Sequence, residues 1–177
     1  EYLGEAVGNG TQVFENLVLE PIDGKTIRSF DRPLNGVDWG WYPDAWAYNR
    51  VQYDAARRTL YIYDELTRWR TANRDTAHLL LARGVGTETG GPLTADSACR
   101  EAVKGPGSVN QSMKWLQSLA AICIDPKRCP DTAREFGEYE YEVGKDGQVL
   151  PGYPDADNHH IDAVRYVTNR LWTRRGT

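Results

Sequence analysis

The chain has 177 residues, of which 40% are hydrophobic and 26% charged, enough for one globular domain with a substantial core. A formal net charge of -4 argues against a protein that coats nucleic acid by general basicity, but not against an enzyme acting on it, because metal-binding carboxylates are themselves negative. No apolar run approaches bilayer-spanning length, and the N-terminus EYLGEAVGNG has neither the basic nor the apolar region of a signal peptide, so a chain outside the membrane and the secretory pathway is expected.

Thr11 to Ile22 is apolar and β-prone and is broken by the DGK that follows; residues 1–30 are expected to form an N-terminal arm packed on a domain of residues 31–177. In Leu34 to Trp41, Val37 and Trp39 alternate with Gly36, Asp38 and Gly40, the period of a strand that turns Asp38 away from its apolar neighbours. Trp46 to Asp54 and Thr59 to Leu66 are aromatic-rich and β-branched, and the link Ala55 to Arg58 joins them as a hairpin, giving a three-stranded meander. Ala77, Leu80 and Leu81 fall at helical spacing before a stop at Gly84. Pro92 to Ala98 is a short strand, and Ser108 caps a helix with Val109, Met113, Leu116 and Leu119 on one side. Ala120 to Pro126 is a further strand, and CPDTAREFGEYEYEV a helix with Asp131 near its start. The DG turn in Lys145 to Pro154 predicts a hairpin, and a last helix runs from about His159 to Trp172 with Ile161, Val164, Val167 and Leu171 as its apolar stripe. Helical crossovers between the later strands imply an α/β fold with a mixed sheet.

Three cysteines, Cys99, Cys123 and Cys129, form no CxxC pair and suit free thiols in a reducing compartment. The only methionine is Met113, so the chain reads as part of a longer protein.

The polar stretch DADNHHIDAVRY concentrates acids and histidines where the last helix begins. Taken alone it has an ordinary explanation, in which Asp157 or Asn158 caps the helix and Asp162 favours the positive end of its dipole. Asp38 and Asp96 change the balance, because each sits at the end of an apolar strand where a lone carboxylate would be costly to desolvate. Aspartates that share a site need a cation, and oxygen donors select a hard divalent one such as Mg2+ or Mn2+. Spacing does not establish that the three converge.

The motifs GVDWGW, TADSA, KGPGSVNQSMKWLQ and NHHIDAVRY, in this order, resemble the C-terminal nuclease domain of the large terminase subunit of tailed bacteriophages, over nearly the whole span Leu34 to Leu171. The resemblance implies a ribonuclease-H-like fold: a mixed five-stranded central sheet, three antiparallel strands then parallel ones, flanked by helices, with the added hairpin before the last helix. It implies that Asp38, Asp96 and Asp162 bind two Mg2+ or Mn2+ ions for phosphodiester hydrolysis, with His159 binding metal, positioning a carboxylate or moving a proton. His160 then reads as a surface or outer-shell residue, Asp44 as a turn former within reach of the site, and Lys104 as a phosphate contact or part of a helix-entry loop. Glu138 and Glu140 read as a solvated helix face. The implied partners are double-stranded DNA, the ATPase domain of the same full-length chain, the small terminase subunit and the portal protein, all in the cytoplasm of an infected bacterium.

Two features depart from that pattern. Only CREAV separates ADSA from KGPG, which reads either as a deletion or as a segment absent from this chain, and no GxxxxGK[ST] is present, which places the ATPase outside it. Competing readings are another ribonuclease-H-like nuclease, such as a resolvase or recombinase, a non-catalytic docking module, and a zinc site from Cys129, His159 and His160, whose spacing fits no finger pattern. The hairpin, directly ahead of the metal-binding helix, is expected to control access of DNA.

Overall fold

Residues 34–68 carry the strongest strand signal in the sequence, and they form the middle of the structure. The computed structural model describes residues 10–95, 100–101 and 106–173. In it β2 (Leu34–Asp38), β3 (Trp46–Asp54) and β4 (Thr59–Arg68) make an antiparallel meander whose last turn is the expected one at residues 55–58. β7 (Ala121–Ile124) joins β4 in parallel and β5 (Leu93–Ala95) joins β2 in parallel. These are the five strands of the expected sheet. Two short edge strands widen it to seven: β1 (Leu17–Leu19), parallel to β7, and the two-residue β6 (Arg100–Glu101), parallel to β5. The order across the sheet is β1-β7-β4-β3-β2-β5-β6.

The described residues also form five helices: α1 (Gly24–Arg28), α2 (Asn73–Ala82), α3 (Ser108–Gln117), α4 (Pro130–Glu138) and α5 (His159–Thr173). α2 packs on one face of the sheet and α3, α4 and α5 on the other. Val37, Trp46, Tyr48 and Leu66 pack with Leu80 of α2 on one side. On the other, Val51, Leu60, Ile62, Ile122 and Ile124 meet Met113 and Leu116 of α3, Phe136 of α4, and Ile161, Val164 and Val167 of α5. Each fully buried side chain of this size contributes about 1.5–3 kcal/mol. At the register shift between Arg50 and Val51, β4 carries one extra residue, Tyr63, so Leu60 and Ile62 face α5 although Leu66, of the same parity, faces α2.

α5 departs from the one-stripe pattern of a surface helix. Besides its apolar residues it buries His160, Arg165, Thr168 and Asn169, because it is pressed against β2 and β3 and flanked by α3 and α4. Its approach to β2 depends on Gly36: a Cβ there would lie 2.1 Å from the Ala163 carbonyl oxygen and 2.8 Å from Val167 Cβ. The side-chain period of two puts Asp38 on the same face as Gly36, toward α5.

Local readings fail where non-local pairing intervenes. Gly107, at φ +81°, occupies the N-cap of α3 that was expected of Ser108, and Val109 is exposed rather than on the buried side. α4 ends at Glu138 instead of continuing toward Val143, because Val13 N–H donates to the Tyr139 carbonyl and Tyr141 N–H donates to that of Thr11. The hairpin reduces to a turn closed by the single Val143–Val149 bridge. No helix among the described residues is long and apolar enough to cross a membrane.

Candidate metal centre

Asp38 is the last residue of β2 and His159 the first of α5, and the packing of that helix on that strand brings them together: Nδ1 of His159 lies 3.3 Å from Oδ2 of Asp38. Asp162 follows one turn later on α5. Its Oδ1 accepts from the Arg165 guanidinium and its Oδ2 from the Tyr166 hydroxyl at 3.3 Å. Arg165 is itself held by Nε donating to Ser112 Oγ of α3 at 2.8 Å. The Asp38 and Asp162 side chains keep 16% and 19% of their surface exposed, enough to be reached by an ion or a substrate.

The electrostatics report a crowded acidic site. Burial pushes the Asp162 carboxyl above the usual carboxylate range, and the Asp38 charge adds to this, while Arg165 and the Tyr166 hydroxyl pull the other way. His159 is held above its ordinary value chiefly by its hydrogen bond to Asp38; burial opposes this, and the charges of Asp38, Glu135 and Asp44 support it. The hollow these residues line has a volume of about 590 Å³, and Asp44, Asp155, Asp157 and Asn158 also border it.

The donor set suits a hard divalent cation: carboxylate oxygens dominate, and the charge of Asp38 raises the Asp162 carboxyl in a partly buried position. Among the described residues, however, no three His, Cys, Asp or Glu side chains form a complete metal-binding group. The third aspartate, Asp96, lies outside the described residues, as does Lys104. Up to that point the backbone register is favourable, since Ala95 pairs with Val37, the residues immediately ahead of Asp96 and Asp38 in the sequence.

His160 is not a surface residue. It is fully buried, with Nδ1 2.8 Å from Asn49 Oδ1 and Nε2 2.9 Å from Thr67 Oγ1. Asn49 donates to Thr132 Oγ1, Thr132 donates to Glu65, and Thr67 donates to Asp131, so strands β3 and β4 are tied to the starts of α4 and α5 by one polar network. Burial lowers the His160 pKa to about 4. The N-terminus of α5 is satisfied from a distance: Glu135 Oε2 accepts from the N–H groups of His160 and Ile161, at 2.7 and 3.3 Å, the role expected of Asp157 or Asn158. Glu65 does the same for α4, accepting from Asp131 and Thr132 N–H.

Asp44 borders the hollow from the loop after β2, and Glu138 and Glu140 are exposed. Of the excursion before α5, the turn at residues 144–150 does not line the hollow, whereas residues 155–158 do. Cys123 and Cys129 are buried free thiols; Cys99 lies outside the described residues. Sequence reasoning missed Arg165 and Tyr166, although their spacing three and four residues after Asp162 is the signal of a shared helix face. Nothing local marks Glu135.

A family profile described as the terminase RNase H-like domain matches residues 38–169. The large terminase subunit of Bacillus phage SPP1 is 37% identical over 191 aligned positions, covering 99% of this chain; the chain spans 45% of that protein's length. The structure is similar to the nuclease domain of the SPP1 large terminase, crystallised with bound Mn, at a TM-score of 0.80 and 35% identity over 89% of this chain and 98% of that one. It shares its fold with the nuclease domain of the P22 large terminase, at a TM-score of 0.58 and 11% identity over 93% of this chain and 92% of that one. The large terminase nuclease of thermophilic phage G20c, crystallised with bound magnesium, has the same fold at a TM-score of 0.56 and 12% identity, over 89% and 96% of the two chains.

Proposed function

Because the chain belongs to the family of terminase RNase H-like domains, we propose that it is the metal-dependent endonuclease domain of a phage large terminase, cutting concatemeric double-stranded DNA during genome packaging. The observation that carries this reading is the meeting of Asp38 and His159 across the β2–α5 contact, with Asp162 one turn away in the same hollow. Asp38, Asp96 and Asp162 would hold two Mg2+ or Mn2+ ions, which when bound would supply Lewis-acid chemistry for phosphodiester hydrolysis.

The chain's own groups organise the rest. Arg165, anchored on Ser112, and Tyr166 fix the Asp162 carboxylate from both oxygens. His159 orients Asp38 and holds a proton within reach of the hollow. Lys104 contacts a DNA phosphate. The natural partners are the ATPase domain of the longer chain, the small terminase subunit and the portal, in the cytoplasm of the infected bacterium.

Plasmid nicking tests the reading. The protein should nick or linearise supercoiled DNA with Mn2+ or Mg2+ and stop on addition of EDTA. Asp38→Ala and Asp162→Ala should each lower the rate by more than the roughly 10–100-fold typical of losing a group that only orients a ligand. Full cutting by both variants would overturn the assignment, and a folded protein that binds no Mn2+ by calorimetry would instead favour a docking module.

A further inference from the structure

Beside the carboxylate hollow runs a second depression of about 880 Å³, lined by Trp41, Tyr42, Leu80, Val85 and Leu93 among others, and the two share Trp39 and Asp44. Its rim exposes large rings: Trp41 is 57% exposed and Tyr42 61%, with Trp69 at 53% just beyond. The Arg70 N–H donates to the Trp41 carbonyl at 2.9 Å, which pins the β2–β3 loop to the end of β4. The Arg70 guanidinium lies over the Tyr42 ring, 4.0 Å from its centroid. Among the described residues neither Arg68 nor Arg70 forms an ion pair.

A trough with an apolar floor, an aromatic rim and an unneutralised guanidinium at that rim suits a ligand that is flat, apolar on its faces and anionic at its edge. A nucleotide has that chemistry, but a base stacked within a duplex does not offer its faces; only an unpaired one does. We propose that this groove receives an unpaired nucleotide of the DNA strand, its base stacked on Trp41 and Tyr42 and its phosphate met by Arg70. The inference rests on the nuclease reading for its substrate class. It adds that the domain grips strand ends or locally opened DNA beside the cutting site, through contacts tolerant of sequence because every base has a π-face.

Fluorescence anisotropy with EDTA present, so that no DNA is cut, tests this with two labelled probes: a short blunt duplex and the same duplex ending in an unpaired arm. The protein should prefer the forked probe, and Trp41→Ala should lower that preference about tenfold, the effect of losing one stacked base. Trp41→Phe should retain it, and abasic sugars in the arm should abolish it. Equal binding of both probes by the unaltered protein, or a preference unchanged in Trp41→Ala as expected of a groove built for another protein, would overturn the inference alone. Failure to bind either probe would also overturn the inference, while the nuclease reading stands or falls separately on metal-dependent plasmid cutting.

Discussion

His159 and His160 are neighbours in sequence that belong to two different regions of the molecule. The first borders an open acidic hollow, where its hydrogen bond to Asp38 raises its pKa; the second sits in a buried network between β3, β4 and the starts of α4 and α5, where burial lowers its pKa to about 4. Adjacent residues at a helix start point about 100° apart. One therefore meets the strand-end carboxylate and the other the underside of the sheet. The contrast teaches that the chemistry of the site and the rigidity of its support are carried by separate side chains, and substitution can separate them.

The sharpest way to break the contrast is His160→Ala. It leaves Asn49 and Thr67 without their shared partner in a fully buried position and opens a cavity, which should lower unfolding stability by about 2–4 kcal/mol in urea titration. Glu135→Gln should have a smaller effect, about 1 kcal/mol, through weaker reception of the α5 N–H groups. It also carries a pH signature. Burial raises Glu135 from 4.5 to about 7, so the folded protein holds this proton more tightly than the unfolded chain. The corresponding stability is present below pH 4.5 and is lost as pH rises through about 7, and thermal melts should show this slope flattened in Glu135→Gln. The smallest stability effect belongs to His159→Ala, under about 1 kcal/mol for one partly exposed ion-pair contact. Its plasmid cutting should nevertheless fall, by about 100-fold if it moves a proton. Equal destabilisation by the two histidine variants would show that the regions are not separate.

Much of this was legible before any coordinates. Period-two alternation located β2 and the hairpin at residues 55–58, and the apolar stripe located α5 from His159 onward. The three-residue spacing of His159 and Asp162 put both near one side of a helix, and they do line one hollow. The rest depended on contacts far apart in sequence. His160 looks like any polar residue at a helix start until Asn49 and Thr67 are known to lie beneath it. The end of α4 is decided by residues 11–13, and the cap of α5 by a glutamate on the preceding helix. Such partners leave no periodic trace.

The close approach at Gly36 has a consequence for how the two carboxylates of the hollow keep their distance. Asp38 stands two residues along the strand from that glycine, and Asp162 immediately precedes the helix residue whose carbonyl rests over it. Main chain bears directly on main chain there, so the gauge between the acids is set by peptide atoms that every sequence possesses. Changes of bulk elsewhere in the interior would leave that gauge standing, whereas a single methyl group at position 36 would act as a shim and force the jaws of the site apart.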